Sequence, residues 1–357
     1  MQDAGVISIS LDLADGFVCS AAIRSSRPAG LARLFEGRAP QEAPLLARRL
    51  FTLCSRAQGA AANAAIEAAL GTRVDPETRR LESIGVLAER LFETLRACIL
   101  AWPGAASFAR RAGAPLRAAA AAAQALAQGR ETLDAFARLA AAAEAIGVPR
   151  ADDGEPAPDT PFALILRQCA GEDGLLPAAG DALTVRDDEA VAMALEADPA
   201  GFAIAPELDG RRPETGAFAR VFADLPLDES LLTTRARARL IDARRALADL
   251  DKLISRKDEE AEQVIVAART ASGAGFGVVE CARGRLYHMA RVGANGRIEV
   301  YGLVAPTEWN FHPNGPLAMQ LVGARLGRAE AARAVVQKLA TLVDPCVAFE
   351  VSAKESA

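Results

Sequence analysis

Apolar residues recur at helical spacing along most of this chain, and only two short stretches alternate apolar with polar, a pattern that limits it to a mainly α (α+β) fold. Helical runs cover about 41–70, 76–101, 115–146, 226–268 and 317–342. One hairpin is expected over 6–23, turning at Asp15-Gly16, and a second in "GRLYHMARVGANGRIEVYGLVAP", turning at "ANG". No strand–helix–strand alternation and no internal repeat is read. In the first run Leu50, Leu53, Cys54 and Ala57 stand at i, i+3, i+4 and i+7. That spacing puts Cys54 on the buried face of one continuous helix, with Phe51 a turn before it. Pro103 stops the second run. The alanine-rich run 115–146 has high helix propensity but few large apolar side chains, so loose or peripheral packing is expected. The run 226–268 is highly charged, with an apolar thread of Leu231, Leu240, Ile241, Leu247, Leu250 and Leu253.

With 357 residues the chain can bury a large core. It is read as one domain, with "GVPRADDGEPAPDTP" at 147–161 as an exposed loop or linker. Lys and Arg number 41 against 46 Asp and Glu, mixed along the sequence, which argues against a nucleic-acid partner. Neither a signal peptide nor a membrane-length apolar run is seen, so a cytoplasmic location is expected. The six cysteines are too scattered for a disulfide framework. With no Cys-x-x-Cys and only His288 and His312 as histidines, a structural zinc site is not readable either. Cys54 alone would be read as core packing, and both histidines as satisfied structural residues. Trp309 with Asn310 reads as a packing and turn element.

Five segments, in order, change that reading: "FEGRAPQEAPLLARRLFTLCSRAQG", "DGRRPETGAFAR", "VECARGRLYHMARV", "VAPTEWN" and the terminal "DPC". Together they resemble the successive signatures of nickel-iron hydrogenase large subunits, over nearly the whole chain. The resemblance implies a large-subunit-like helical bundle with small antiparallel hairpins. The departures matter equally. Large subunits hold two metals with two Cys-x-x-Cys pairs, and here one cysteine of each pair is kept. Cys54 matches a bridging position, with Phe51 at its missing mate and Gln58 at the following histidine. Cys346 matches a terminal ligand, with Phe349 at the second bridging cysteine. Ser352 stands at the histidine that marks the processing site, so an unprocessed C-terminus is expected. Ala4, Gly5 and Val6 replace a Glu-Gly-His, and Ala282 replaces the proline of Glu-Ala-Pro-Arg-Gly.

Two phenylalanines coordinate nothing, so nickel is not expected. Two thiolates still suffice for one iron whose other positions are filled by cyanide and carbonyl. By the resemblance, Arg283 contacts one cyanide, Thr307 lies near the other and Asp344 beside the metal unit, with Arg283 favouring deprotonation of both thiols. Without a ligand, Arg283 reads equally as a salt-bridge donor to an acid such as Asp344. Cys19, Cys98, Cys169 and Cys281 match no ligand position and are read as packing. This combination is similar to the HupK/HoxV group of large-subunit-like accessory proteins. It implies a scaffold that takes a transient Fe(CN)2(CO) unit from HypC/HypD-type maturation proteins and passes it to the hydrogenase large subunit. The alternatives are a metal-free mimic that docks maturation chaperones and a nickel-iron hydrogenase with a rebuilt site.

Overall fold

A computed structural model describes residues 5–130, 132–150, 154–171, 173–178, 180–225, 229–256 and 264–356. Strands β1 (Val6–Ala14) and β2 (Phe17–Ser25) form the first expected hairpin, with Asp15 and Gly16 both at positive φ in its turn. Alternation along β1 buries Ile7, Ile9, Leu11 and Leu13 in the main core.

The run expected as one helix over 41–70 is two. Helix α1 (Ala43–Leu50) stops at Phe51 (φ −119°, ψ 85°), Thr52–Cys54 makes a 3-10 turn, and α2 (Ser55–Leu70) follows. Cys54 is therefore the N-cap residue of α2, not a position on a continuous helical face. What permits the break is remote in sequence. Glu89, on α3 (Pro76–Leu100), accepts the N–H of Arg56 at 2.8 Å and of Ala57 at 2.9 Å, satisfying donors that a helix start leaves orphaned. Since Glu89 does the capping, the Cys54 side chain makes no cap bond of its own.

The alanine-rich run is also two helices, α4 (Ala109–Leu126) and α5 (Thr132–Ile146), and they are not peripheral. Ala119, Ala122, Ala135, Leu139 and Ala143 are fully buried in the main core, because small side chains let helices approach closely. Within 147–161, residues 151–153 lie outside the described residues; Val148 and Phe162, on either side, are buried in that same core. Helices α6 (Pro161–Cys169), α7 (Asp188–Ala197), α8 (Gly201–Ile204) and α9 (Ala217–Val221) lead to α10 (Leu231–Ser255). Of the charged run 226–268, residues 226–228 and 257–263 lie outside the described residues, and its end is a strand rather than helix. Its charges are not all solvated either, since Arg235, Arg239 and Asp242 are buried.

Strands β3 (Ile265–Arg269), β4 (Gly275–Cys281), β5 (Gly284–Val292) and β6 (Ile298–Val304) form an antiparallel sheet in that order, so the second expected hairpin is half of a larger sheet. Helix α2 crosses it at close range: a Cβ on Gly277 would run into the Ala61 carbonyl, and one on Gly275 into that of Ala65. Moving up β4 thus moves down α2, and Cys281 arrives beside the start of α2, where Cys54 sits. The helix expected over 317–342 is interrupted. After α11 (Pro306–Asn310), α12 (Pro316–Leu321) and α13 (Ala329–Val343) are separated by a link in which Gly323 and Gly327 take positive φ. A strand not foreseen, β7 (Ala348–Glu355), pairs parallel to β1 from Val6↔Ala348 to Leu13↔Glu355, so the first sheet is mixed, in order β2-β1-β7. The fold is mainly α with two small sheets. Among the described residues no helix is long and apolar enough to cross a membrane.

Candidate functional site

Arg283 stands in the tight turn between β4 and β5, where Cys281 pairs with Gly284. Gly284 has φ 132°, and a Cβ there would collide with the Thr215 side chain. Thr215 locks the turn: its hydroxyl accepts the Arg285 N–H at 2.8 Å. Asn310 in turn clamps Thr215, accepting its N–H at 2.9 Å and donating to its carbonyl at 2.9 Å. Asn310 is therefore more than a turn residue, while Trp309 is fully buried core. Beneath the turn runs a buried chain of ion pairs. Arg220 binds Asp242 at 2.8 Å and Glu280 at 2.9 Å, Arg285 binds Glu280 at 2.8 Å and Asp188 at 2.7 Å, and Arg90 also reaches Asp242.

The Asp-Pro-Cys turn is fixed independently. Asp344 closes α13 in the left-handed region (φ 63°), and Arg239 holds the turn through the Leu342 carbonyl at 2.7 and 2.9 Å and Asp344 at 3.4 Å. The Cys346 N–H donates to the Thr307 hydroxyl at 3.1 Å. This occupies one acceptor site of that hydroxyl and leaves its O–H to be directed elsewhere.

These elements converge on Arg283. Its Nη2 faces Glu93 at 3.3 Å and Asp344 at 3.5 Å, and its side chain is 2% exposed. Burial alone would depress the guanidinium, but Asp344, Cys54, Glu93 and Cys346 around it keep it firmly protonated. Its Nε and Nη1 are buried and have no hydrogen-bond partner among the described residues. Cys54, Arg283, Thr307, Asp344 and Cys346 thus share one neighbourhood, built from the start of α2, the β4–β5 turn, α11 and the end of α13. Arg283 is thus an ion-pair partner of Asp344, with two donor nitrogens that no described residue satisfies.

The expected effect of Arg283 on the Cys54 thiol is outweighed. Burial, with Cys281 adding to it, pushes that thiol well above its ordinary value, and Arg283 only opposes the rise. Cys281, read as packing, lies close enough to influence Cys54, and burial pushes its own thiol up to about 11. Cys98 and Cys169 are buried core cysteines and Cys19 is exposed. Among the described residues no group of three or more His, Cys, Asp or Glu is arranged to hold a metal ion. Cys54 has two other thiols, Cys281 and Cys346, within electrostatic range. His288 is fully buried between Gln58 and Tyr301, 2.7 Å from each, and burial lowers it to about 3; His312 accepts the Asn314 N–H at 3.1 Å. Phe51 borders a cleft of about 420 Å³, and Phe349 packs on the core from β7. Ala4 lies outside the described residues.

Several partners of this site carried no signal at the level of motifs. Glu93 and Arg239 sit within long helical runs, where a charge reads as solvated. The contact of Gln58 with Cys54 was open to inference from their i,i+4 spacing, and that of Cys281 from its place two residues before Arg283.

Residues 230–351 match the nickel-dependent hydrogenase family. The chain is 44% identical to the hydrogenase expression/formation protein HupK of Rhizobium leguminosarum bv. viciae, covering 99% of this chain and 98% of that protein. It is 30% identical to the hydrogenase expression/formation protein HoxV of Cupriavidus necator, covering 94% and 93%. Among solved structures, the reduced, active Ni-Fe-Se hydrogenase of Desulfomicrobium baculatum superposes with a TM-score of 0.69 at 16% identity, covering 94% of this chain and 95% of that one. The NAD+-reducing [NiFe]-hydrogenase in its H2-reduced state gives 0.62 at 16% identity, covering 93% of each. At that identity the two structures establish a shared fold.

Proposed function

This chain belongs to the HupK family of hydrogenase expression/formation proteins, and from that premise we propose that it is a non-catalytic assembly factor that transiently holds an Fe(CN)2(CO) unit. Its donor is of the HypC/HypD type, and its recipient is the hydrogenase large subunit. The observation that carries this reading is Arg283, which keeps two buried donor nitrogens unpartnered among the described residues, beside two thiols. An unpaired buried donor is costly, and a cyanide nitrogen is an anionic acceptor suited to it. The cargo arrives with its strong-field ligands already attached, so a pair of soft thiolates from Cys54 and Cys346 is enough to retain it. Thr307 and Asp344 line the same position. Phe51 and Phe349 stand where two further thiolates would complete a nickel site, and neither nickel nor hydrogen turnover is expected.

Metal analysis tests this directly. Protein purified from cells that express the maturation proteins should carry about one iron per chain and little nickel. Cys54→Ser and Cys346→Ser should each lose the iron and fail to support hydrogenase maturation, the double variant adding nothing because the thiols act as a unit. Exposed Cys19 is the control, and Cys19→Ser should behave as wild type. Nickel equal to iron, with hydrogen turnover in a dye-coupled assay, would instead support a rebuilt hydrogenase.

A further inference from the structure

We propose that Tyr301, His288 and Gln58 form a polarised hydrogen-bond chain that ends on the Cys54 sulfur, positions it and moderates its electron donation to the bound iron; this rests on the reading of Cys54 as an iron ligand. Tyr301 Oη lies 2.7 Å from His288 Nδ1, His288 Nε2 lies 2.7 Å from Gln58 Oε1, and Gln58 Nε2 lies 3.8 Å from Cys54 Sγ. An amide oxygen only accepts and an amide nitrogen only donates. His288 Nε2 must therefore carry the hydrogen. Since the ring is neutral in its fully buried site, Nδ1 is the acceptor and the tyrosine hydroxyl donates into it. Every donor in the chain points toward the sulfur. With the Gln58 amide turned over, its oxygen would face Sγ, an arrangement suited to a protonated thiol and repulsive to a metal-bound thiolate. The two polarities require opposite tautomers of His288.

The chain is held on three elements. Gln58 lies in the first turns of α2, four residues after the N-cap Cys54, and its side chain reaches back to the Cys54 sulfur. His288 on β5 and Tyr301 on β6 are diagonal neighbours across the sheet, since His288 pairs with Leu303 and Tyr301 with Ala290. The Tyr301 ring stacks on Phe35 with centroids 4.0 Å apart, and meets His288 edge-on at 5.7 Å. A donor to a ligand sulfur draws electron density away from the metal, as partners of metal ligands do generally. Nothing else in the proposed retention of iron needs these three polar groups to be aligned.

The test is infrared spectroscopy of wild type, Gln58→Leu and Tyr301→Phe, each purified with the maturation proteins, together with 15N NMR of the histidine rings in the same wild-type protein. Gln58→Leu should shift the carbonyl band to lower wavenumber, because the sulfur then donates more strongly, and Tyr301→Phe should shift it less in the same direction. Should Gln58→Leu retain no iron, Tyr301→Phe decides. A carbonyl band at the wild-type position in the deciding variant overturns the chain. If wild type itself shows no bands, the iron-holding reading fails separately, and the proposed coupling of the chain to iron fails with it. NMR of the iron-loaded wild type reads the polarity: His288 should be neutral with hydrogen on Nε2, and hydrogen on Nδ1 would overturn the direction proposed.

Discussion

Arg283 shows how much one side chain in this site is asked to do, and why its loss should be tolerated by the fold. It faces Glu93, Asp344 and both thiols, yet each acid has another partner: Glu93 is held by Arg96 at 2.7 Å and Asp344 by Arg239 at 3.4 Å. Arg283→Ala therefore leaves no buried carboxylate alone. It should cost retention of iron rather than folding. Losing a charge-assisted donor is worth about 1.5–3 kcal/mol, which lowers retention by roughly tenfold or more. Arg283→Lys should not restore it, since an ammonium lacks the planar fork that supplies two further donors. Iron per chain after dialysis, set beside a thermal melt, checks both parts. Full iron retention in Arg283→Ala would remove this arginine from the site.

At the level of elements, the charges of α10 separate what was legible in the sequence from what was not. The helix and its apolar thread could be read from spacing, but not its end, since the run expected to reach 268 leaves the helix at Ser255, and periodicity cannot tell a solvated charge from one that enters a buried network. Asp242 is such a case, bound by Arg220 and Arg90 beneath the β4–β5 turn. Burial alone would raise its carboxyl, but the Arg220 and Arg90 guanidiniums more than offset this and hold it well below the usual range. Glu280 is lowered on the same balance, against burial, by Arg220 and Arg285. A depressed folded-state pKa gives stability that is complete above the unfolded value, about 4, and lost as pH falls through the lower folded value. Asp242→Asn should cost about 3–5 kcal/mol at neutral pH, since two buried arginines lose a shared partner, and should lose less on acidification than wild type. Urea melts at neutral and acid pH measure both. An unchanged neutral stability would show that the network is not structural. The break at Phe51 was illegible for a related reason: its cap, Glu89, comes from another helix, and a helical repeat carries no trace of that.

For the whole molecule, the order of five short motifs was enough to foresee that the start of α2, the β4–β5 turn and the end of the chain would meet. The structure brings Cys54, Arg283, Thr307, Asp344 and Cys346 together. How they are brought together was not foreseen. Gly277 lets α2 lie on the sheet, the Asn310 clamp fixes the turn that bears Arg283, and β7 ties the residues after Cys346 to β1. Such contacts join residues far apart in sequence, so local spacing is silent about them. The measurement that bears most directly on the central claim is the infrared spectrum in the cyanide and carbonyl stretching region, recorded on wild type and on the Cys54→Ser, Cys346→Ser double variant purified with the maturation proteins. The expected result is cyanide and carbonyl bands in wild type and none in the folded double variant. Bands of equal intensity in both, or a band-free wild type that still matures hydrogenase in cells, would contradict a two-thiolate iron scaffold, the latter pointing to a protein that acts by docking alone.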